Sequence, residues 1–245
     1  MKRKYLLKPD REDLRDKLWH SSLFKTAASL PKQVDLRPGC SPVVDQGELG
    51  SCTANAIASG LREFLLLKAG KSLVRLSRLF LYYEERLLEG EVSEDSGAEI
   101  RDGMKVLSQM GICPESEDPY NVKKFTNPPT AQEIRDALPY RIGAYHRVFG
   151  LIGLKTALAE GLPVVIGIDV YENFESKAVA KTGIVPIPKG NEQCLGGHAV
   201  CVVGYDDAKN WLIVRNSWGA NWGDKGYFYL PYKYHDLVSD MWTGQ

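Results

Sequence analysis

Cysteine, histidine, net charge and long apolar runs are all scarce in this chain, and each scarcity closes off a set of explanations. Only five cysteines occur in 245 residues. That is too few for a disulfide-stapled scaffold, and the odd number leaves at least one thiol free. No apolar stretch approaches the roughly 20 residues a membrane-crossing helix requires. The N-terminus, MKRKYLLKPDREDLRDKLWH, begins with basic residues as a secretory leader does, but Pro9 and a dense mixture of charges interrupt it before an apolar stretch develops. The expectation is a cytoplasmic chain, or a secreted one if a leader has been removed. Lysine plus arginine equals aspartate plus glutamate at 31 each. That balance offers no electrostatic case for nucleic acid or an anionic membrane as a partner. Internal repeats and low-complexity tracts are missing too.

What remains is an ordinary globular composition, 44% hydrophobic and 25% charged, long enough to bury a substantial core as one unit or two packed lobes. Residues 1–30 are charged and weakly periodic and read as an N-terminal extension. Residues 34–40 read as a short strand running into a Pro38-Gly39 turn. From 52 to 68 the positions Ala54, Ile57, Ala58, Leu61, Phe64 and Leu65 recur at helical spacing, and Gly70 follows where a helix would end. Further helices are expected over 77–88 and 98–110, then a proline-punctuated irregular connector, then a short helix before Gly161. Residues 163–170, 198–204, 211–215 and 226–230 are β-branched or aromatic, short and bounded by turn residues, as strands are. The first half is mainly helical and the second mainly β. Two lobes with a groove between them follow, a helical lobe over about 45–140 and a β-rich lobe over about 141–245 plus 31–44.

Three segments carry chemistry. In Asp45-Gln46-Gly47-Glu48-Leu49-Gly50-Ser51-Cys52, a cysteine opens a helix just after a glycine-bearing loop. A helix N-terminus has unpaired N–H groups and partial positive charge, which favour the reactive thiolate and can face an oxyanion formed beside the sulfur. Gln46 offers a side-chain amide as a second donor. The plain reading of Cys52 is a buried core residue that begins a helix. In Gly196-Gly197-His198-Ala199-Val200-Cys201, His198 opens an apolar strand, from which an imidazole can reach across a groove and titrate near neutrality. Most single histidines do no more than satisfy local structure. In Asn216-Ser217-Trp218-Gly219, the asparagine carbonyl suits an imidazole N–H and Trp218 could shield that bond, although a glycine-rich turn between strands would look the same.

The words QGxxGSC, GHAVxxVGY and NSWGxxWGxxGY, in the order Gln46, Cys52, His198, Asn216, resemble the papain and cathepsin family of cysteine peptidases, in a bacterial or viral type of branch. The resemblance runs from about Leu30 to Tyr229. It implies an α+β, papain-like two-lobed fold, with a helical left lobe, a β-barrel-like right lobe and the active site in the cleft between them. It also implies a cysteine endopeptidase working through a thioester acyl-enzyme. Cys52 would be the nucleophile, His198 the acid and base, and Asn216 the group orienting His198. Gln46 and the Cys52 N–H would form the oxyanion hole. Trp218 would cover the histidine–asparagine contact and border the leaving-group side. Ser96 and Gly97 fall where the family has a wall that pairs with the substrate backbone. No cofactor or metal is implied, and the expected partners are a peptide or protein substrate and a candidate protein inhibitor, on a monomer.

This chain departs from the family pattern at three places. Thr53 follows the nucleophile where an aromatic residue is usual, Leu49 stands in place of a disulfide cysteine, and Gly197 precedes His198 where Asp or Asn is common. Residues 1–30 are far shorter than the usual inhibitory propeptide. They are expected either to brake the enzyme by draping over the groove, through the amphipathic fragment Leu14 to Leu18 and Trp19, or to act as a packing arm. The pocket for the second side chain before the cut is expected to draw on residues 232–241. Rival readings are a zinc site at Cys194, His198 and Cys201, a silent peptide-binding protein on the same scaffold, and a transpeptidase or ligase using the same acyl-enzyme. Strand alternation opposes the zinc site, because His198 and Cys201 should point to opposite faces.

Overall fold

The computed structural model describes residues 3–23 and 29–245. The chain first forms a short strand, β1 (Gln33–Asp35), then a 3-10 turn at Arg37–Gly39 that includes the expected Pro38-Gly39 turn. Proline at the start of that turn removes an N–H that a sheet would need. The expected helix from 52 to 68 is present as α1 (Cys52–Asn55), a π-helical stretch over Ala56–Arg62, and α2 (Glu63–Lys68). The wider π turns change the phase of the buried stripe. Leu66 is therefore buried while Leu65 is half-buried. Gly60 sits in the π stretch where a methyl group would lie 2.6 Å from the Cys201 Cβ, so the missing side chain lets helix and sheet approach closely.

Helix α3 (Arg78–Glu89) starts on Ser77, whose hydroxyl accepts the Phe80 N–H at 3.0 Å, and ends at Gly90 with a left-handed φ of 76°. Helix α4 (Ile100–Gln109) follows. The connector expected to be irregular contains α5 (Ala131–Ala137), started by a reciprocal capping box between Thr130 and Glu133. Then come β2 (Tyr145–Arg147), α6 (Gly150–Ala159), β3 (Val164–Tyr171), α7 (Lys177–Thr182), β4 (Cys194–Asp206), β5 (Trp211–Arg215), β6 (Tyr227–Pro231) and β7 (Val238–Gly244).

The strands form one antiparallel sheet in the order β2-β7-β3-β4-β5-β6, with β1 paired to the far end of β4. Alternation along its strands sorts side chains to two faces. Val165, Ala199, Cys201 and Val203 join the helices in one apolar core, and Val164, Ile166, Val200 and Val202 join α6 in the other. The papain-like arrangement thus sets the helices of the first half on one face of the sheet and α6 on the other. The first turn of α1 meets β4 at the seam, and that contact positions the site.

The N-terminal extension is locked to both layers. Leu7 N–H donates to Gly197 O (3.1 Å) and Lys8 N–H to Ala98 O (3.2 Å). The Asp10 carboxylate accepts Trp242 Nε1–H (2.6 Å) and Arg101 N–H (3.0 Å), and Arg101 and Arg147 both reach Asp16. Residues 17–19 run beside β2, with Trp19 N–H donating to Arg147 O at 2.8 Å.

Candidate active site

Cys52 is the first residue of α1 and has no exposed surface. Its thiol is pushed up to about 12, chiefly by burial. The Ala199 N–H pulls the other way and the nearby Glu85 adds to the rise. That Ala199 contact brings the start of α1 against the residue next to His198. Directly after Cys52, Thr53 Oγ1–H donates to Glu85 Oε2 at 2.7 Å. Glu85 is fully buried and its other carboxyl oxygen has no partner. Burial pushes its pKa well above the usual carboxylate range.

His198 is likewise fully buried, opposite Ile168 in the sheet. Its Nε2 lies 2.9 Å from Asn216 Oδ1. The same Oδ1 accepts the Ser217 N–H at 2.9 Å, which identifies that atom as the amide oxygen. Nε2 must therefore carry the hydrogen, and Nδ1 is left as the basic nitrogen, buried and without a partner. Burial pulls the imidazole down to about 4. The Asn216 bond opposes that shift and the Arg3 charge reinforces it. Trp218 stacks on the ring at 5.1 Å and 24°. Phe174 and Trp222 pack edge-on against Trp218 and hold the stack in place.

Gln46 is buried between the two layers. Its N–H donates to Ser217 O (2.9 Å), its Oε1 accepts the Ser217 hydroxyl (2.5 Å), and its Nε2 donates to Leu49 O (3.0 Å). One Nε2 hydrogen stays uncommitted, because an amide nitrogen has two. Gln46 O also accepts the Tyr120 hydroxyl at 2.8 Å, a contact with no signal in the sequence. Asp95 is a second such residue. It accepts the Gly50 N–H (3.0 Å) and the Tyr82 hydroxyl (2.6 Å), tying the loop before Cys52 to the segment of Ser96 and Gly97. Ser96 Oγ turns back to Gly97 O, and Gly97 has a φ of +71°.

The cleft between these groups is filled by the chain's own residues 3–8. A methyl group at Gly97 would lie 1.8 Å from Leu6 O, and one at Gly197 would lie 2.9 Å from Leu7 O, so both walls carry glycine where the backbone passes. The Tyr5 ring stands edge-on to His198, 6.2 Å away, and the Arg3 guanidinium lies 4.1 Å over Trp218. Leu7 is buried beside Gly167, where Ile100 and Ser239 also approach. Ser239 falls within the 232–241 tail expected to line a specificity pocket. The fragment expected to cover the groove does not do so. Leu14 is 96% exposed, and Trp19 packs on His146 and Thr156. The residues in the cleft lie about ten positions earlier, in the arm Arg3 to Lys8. A cavity of about 740 Å³ lies away from Cys52, between Arg11–Lys17 of the extension and Arg101, Lys105 and Tyr145.

Cys40, Cys52, Cys113, Cys194 and Cys201 are all free thiols. Among the described residues no group of three or more His, Cys, Asp and Glu side chains is disposed to hold a metal ion.

Comparison with known proteins finds the family described as "Papain family cysteine protease" matched over residues 30–239. An uncharacterized peptidase C1-like protein of Acanthamoeba polyphaga mimivirus is 40% identical over 97% of this chain and 84% of its own length. Cysteine proteinase 3 of Entamoeba histolytica is 29% identical over 86% of this chain and 66% of its own length. Among solved structures, xylellain, a cysteine protease from Xylella fastidiosa, superposes with a TM-score of 0.91 at 40% identity, covering 100% of this chain and 98% of that one. Digestive procathepsin L 3 of Tenebrio molitor shares the fold, with a TM-score of 0.73 at 22% identity over 99% of this chain and 75% of that one.

Proposed function

The chain belongs to the papain family of cysteine proteases, and from that premise we propose that Cys52, His198, Asn216 and Gln46 form its catalytic centre and that residues 3–8 keep it latent. It is a cysteine peptidase with viral and bacterial relatives. The observation that carries the assignment is the bond from His198 Nε2 to Asn216 Oδ1, which leaves Nδ1 as the proton acceptor.

In the reaction, His198 Nδ1 takes the Cys52 proton, and the sulfur adds to the peptide carbonyl carbon. The tetrahedral oxyanion is met by the Cys52 N–H, at the positive end of α1, and by the free Nε2–H of Gln46. Collapse breaks the C–N bond as His198 returns its proton to the leaving amine, giving a thioester and the first product. His198 then draws a proton from water, hydroxide adds to the thioester carbon, and the thiol leaves with the proton restored. Asn216 keeps the imidazole in one tautomer through the cycle, and Trp218 keeps water from that bond.

Latency follows from two effects of the arm. Its backbone occupies both glycine walls, where a substrate backbone would lie. Its side chains also remove water from the catalytic pair, and burial favours the neutral thiol and neutral imidazole over the reactive thiolate–imidazolium pair. Arg3 adds positive charge next to the imidazole and opposes its protonation further. Extended peptides are the fitting substrates, because an extended segment already lies in the cleft. An aliphatic side chain suits the place now taken by Leu7.

The test is hydrolysis of fluorogenic peptides under reducing conditions by the full chain, by Cys52→Ala, and by a chain lacking residues 1–9. Faster cleavage by the shortened chain and none by Cys52→Ala are expected. Equal rates with and without the arm would dispose of latency, and cleavage by Cys52→Ala would dispose of the nucleophile.

A further inference from the structure

Formal neutrality of the whole chain conceals how charge is arranged around the cleft. The arm reads Arg3-Lys4-Tyr5-Leu6-Leu7-Lys8, three cations around a short apolar centre. Each cation meets a carboxylate from a different part of the fold. Arg3 lies 4.0 Å from Asp45, Lys4 lies 2.6 Å from Asp95, and Lys8 lies 2.5 Å from both Glu89 and Glu91. The Tyr5 hydroxyl donates to Glu175 on the β side.

Two of these acids are poorly placed to stand alone. With the arm docked, the Asp95 and Glu89 side chains are 10% exposed. Their other hydrogen-bond partners are neutral: Gly50 N–H and Tyr82 O–H for Asp95, and Glu99 N–H for Glu89. When the arm leaves, both lose their bonded cation, and a ligand that brings a cation is favoured over one that does not.

We propose that these carboxylates form an acidic trough that selects basic peptides as substrates, with Asp95 recognising a lysine or arginine next to the scissile bond. The arm is then an internal copy of the preferred ligand, basic at both ends and aliphatic between. Asp95 is the specificity-determining residue because it holds the N–H of Gly50, two residues before Cys52. Its Oδ2 holds Lys4 Nζ at 2.6 Å, so a cation bound there is carried by the same carboxylate that fixes the loop leading into Cys52. Residues Lys4 and Leu6, alternate positions of one extended segment, share the helical side of the cleft, and Tyr5 and Leu7 share the β side. A substrate would alternate its side chains between the walls likewise, with the cation in the place of Lys4 on the helical wall and an aliphatic residue in the place of Leu7 on the β wall. This proposal rests on the peptidase reading given above.

The test uses the full chain carrying Arg3→Glu, Lys4→Glu and Lys8→Glu, so that the trough repels its own arm. Three peptides differing only in Lys, Ala or Glu on either side of the scissile bond are compared at 50 and 500 mM NaCl. The expected result is cleavage with at least tenfold higher kcat/KM for Lys over Glu, shrinking at high salt. Adding Asp95→Asn, which keeps an oxygen for Gly50 and Tyr82, should reduce the Lys-to-Ala ratio about fivefold. A ratio untouched by salt and by Asp95→Asn would overturn the trough and leave the peptidase standing. Cleavage of none of the three would overturn both. Continued protection of the Leu7 and Lys8 amides against hydrogen exchange in the charge-reversed chain would show that the acids do not discriminate, and would also overturn it. Binding of the synthetic peptide RKYLLK to the charge-reversed chain gives a readout independent of turnover. Affinity should fall about tenfold between 50 and 500 mM NaCl, and salt-independent binding would contradict the proposal.

Discussion

Replacing Leu7 with alanine isolates the apolar part of the brake. Leu7 is 8% exposed and packs into the main apolar core, so shortening it removes most of a buried leucine side chain. Large-to-small changes of this kind cost about 2–4 kcal/mol in a closed core. The site opens to solvent when the arm lifts, so the lower half, about 2–3 kcal/mol, applies. At 1.4 kcal/mol per factor of ten, the arm-open fraction should rise roughly 30- to 150-fold, provided the closed form dominates at the start. Initial rates on a fluorogenic peptide should rise by that factor. Hydrogen exchange at the Leu7 and Lys8 amides, which donate to Gly197 O and Ala98 O, should quicken in parallel. Leu14→Ala is the control, because that side chain is 96% exposed and should change neither readout. Faster exchange with an unchanged rate would refute the reasoning and make the segment a packing arm.

Three other outcomes follow from the site. Asn216→Ala removes the acceptor that fixes the His198 tautomer. It should lower kcat about 10- to 100-fold with little change in KM, read by steady-state kinetics on the arm-released chain. The arm-covered imidazole is depressed to about 4 from an ordinary 6.5, so its contribution to arm docking is present in full above 6.5 and is lost as pH falls toward 4. The full chain should therefore gain activity relative to the shortened chain as pH drops through that window, and a constant ratio would contradict the linkage. Glu85 is raised, so its contribution to stability is present at low pH and lost as pH rises through its folded value. Glu85→Gln, which cannot ionise, should flatten the decline of melting temperature that wild type shows as pH rises above the ordinary carboxylate value, and an unchanged pH profile would contradict the linkage. Glu85→Ala should cost about 2–4 kcal/mol through the cavity and the unpaired Thr53 hydroxyl.

The reach of the sequence can be judged element by element. Cys52 at the head of a helix, His198 on a strand and Asn216 in a glycine-rich turn were legible because each depends on local periodicity and turn chemistry. The pairing of His198 with Asn216 was legible only through resemblance, since strands β4 and β5 bring together residues 18 apart by register. The arm's place in the cleft was not legible. Its partners Asp45, Gly97 and Gly197 are scattered over the chain, and the short segment 3–8 has no periodicity to reveal them. Leu14 to Leu18 drew attention through an amphipathic pattern, yet Leu14 faces solvent, because the ion pairs of Asp16 with Arg101 and Arg147 and of Asp10 with Arg147 hold that stretch instead. Strand β7 was hidden in a tail rich in charge and aromatic residues. Helix α5 was masked by Pro128 and Pro129, although its Thr130–Glu133 capping box is a local signal. The π-helical turns after Cys52 reflect the close contact of Gly60 with Cys201, a tertiary constraint with no local mark.

The central claim is that Cys52 becomes the reactive thiol of this peptidase when the arm leaves His198. Its most direct test is intact-mass and peptide-mapping analysis after treatment with an epoxide thiol inhibitor, comparing the full chain, Leu7→Ala and Leu7→Ala/His198→Ala. One adduct on Cys52, slow in the full chain, at least tenfold faster in Leu7→Ala and absent without His198, is the expected result. Modification of the exposed Cys194 in preference to Cys52, or a Cys52 adduct forming at the same rate in all three, would contradict the account.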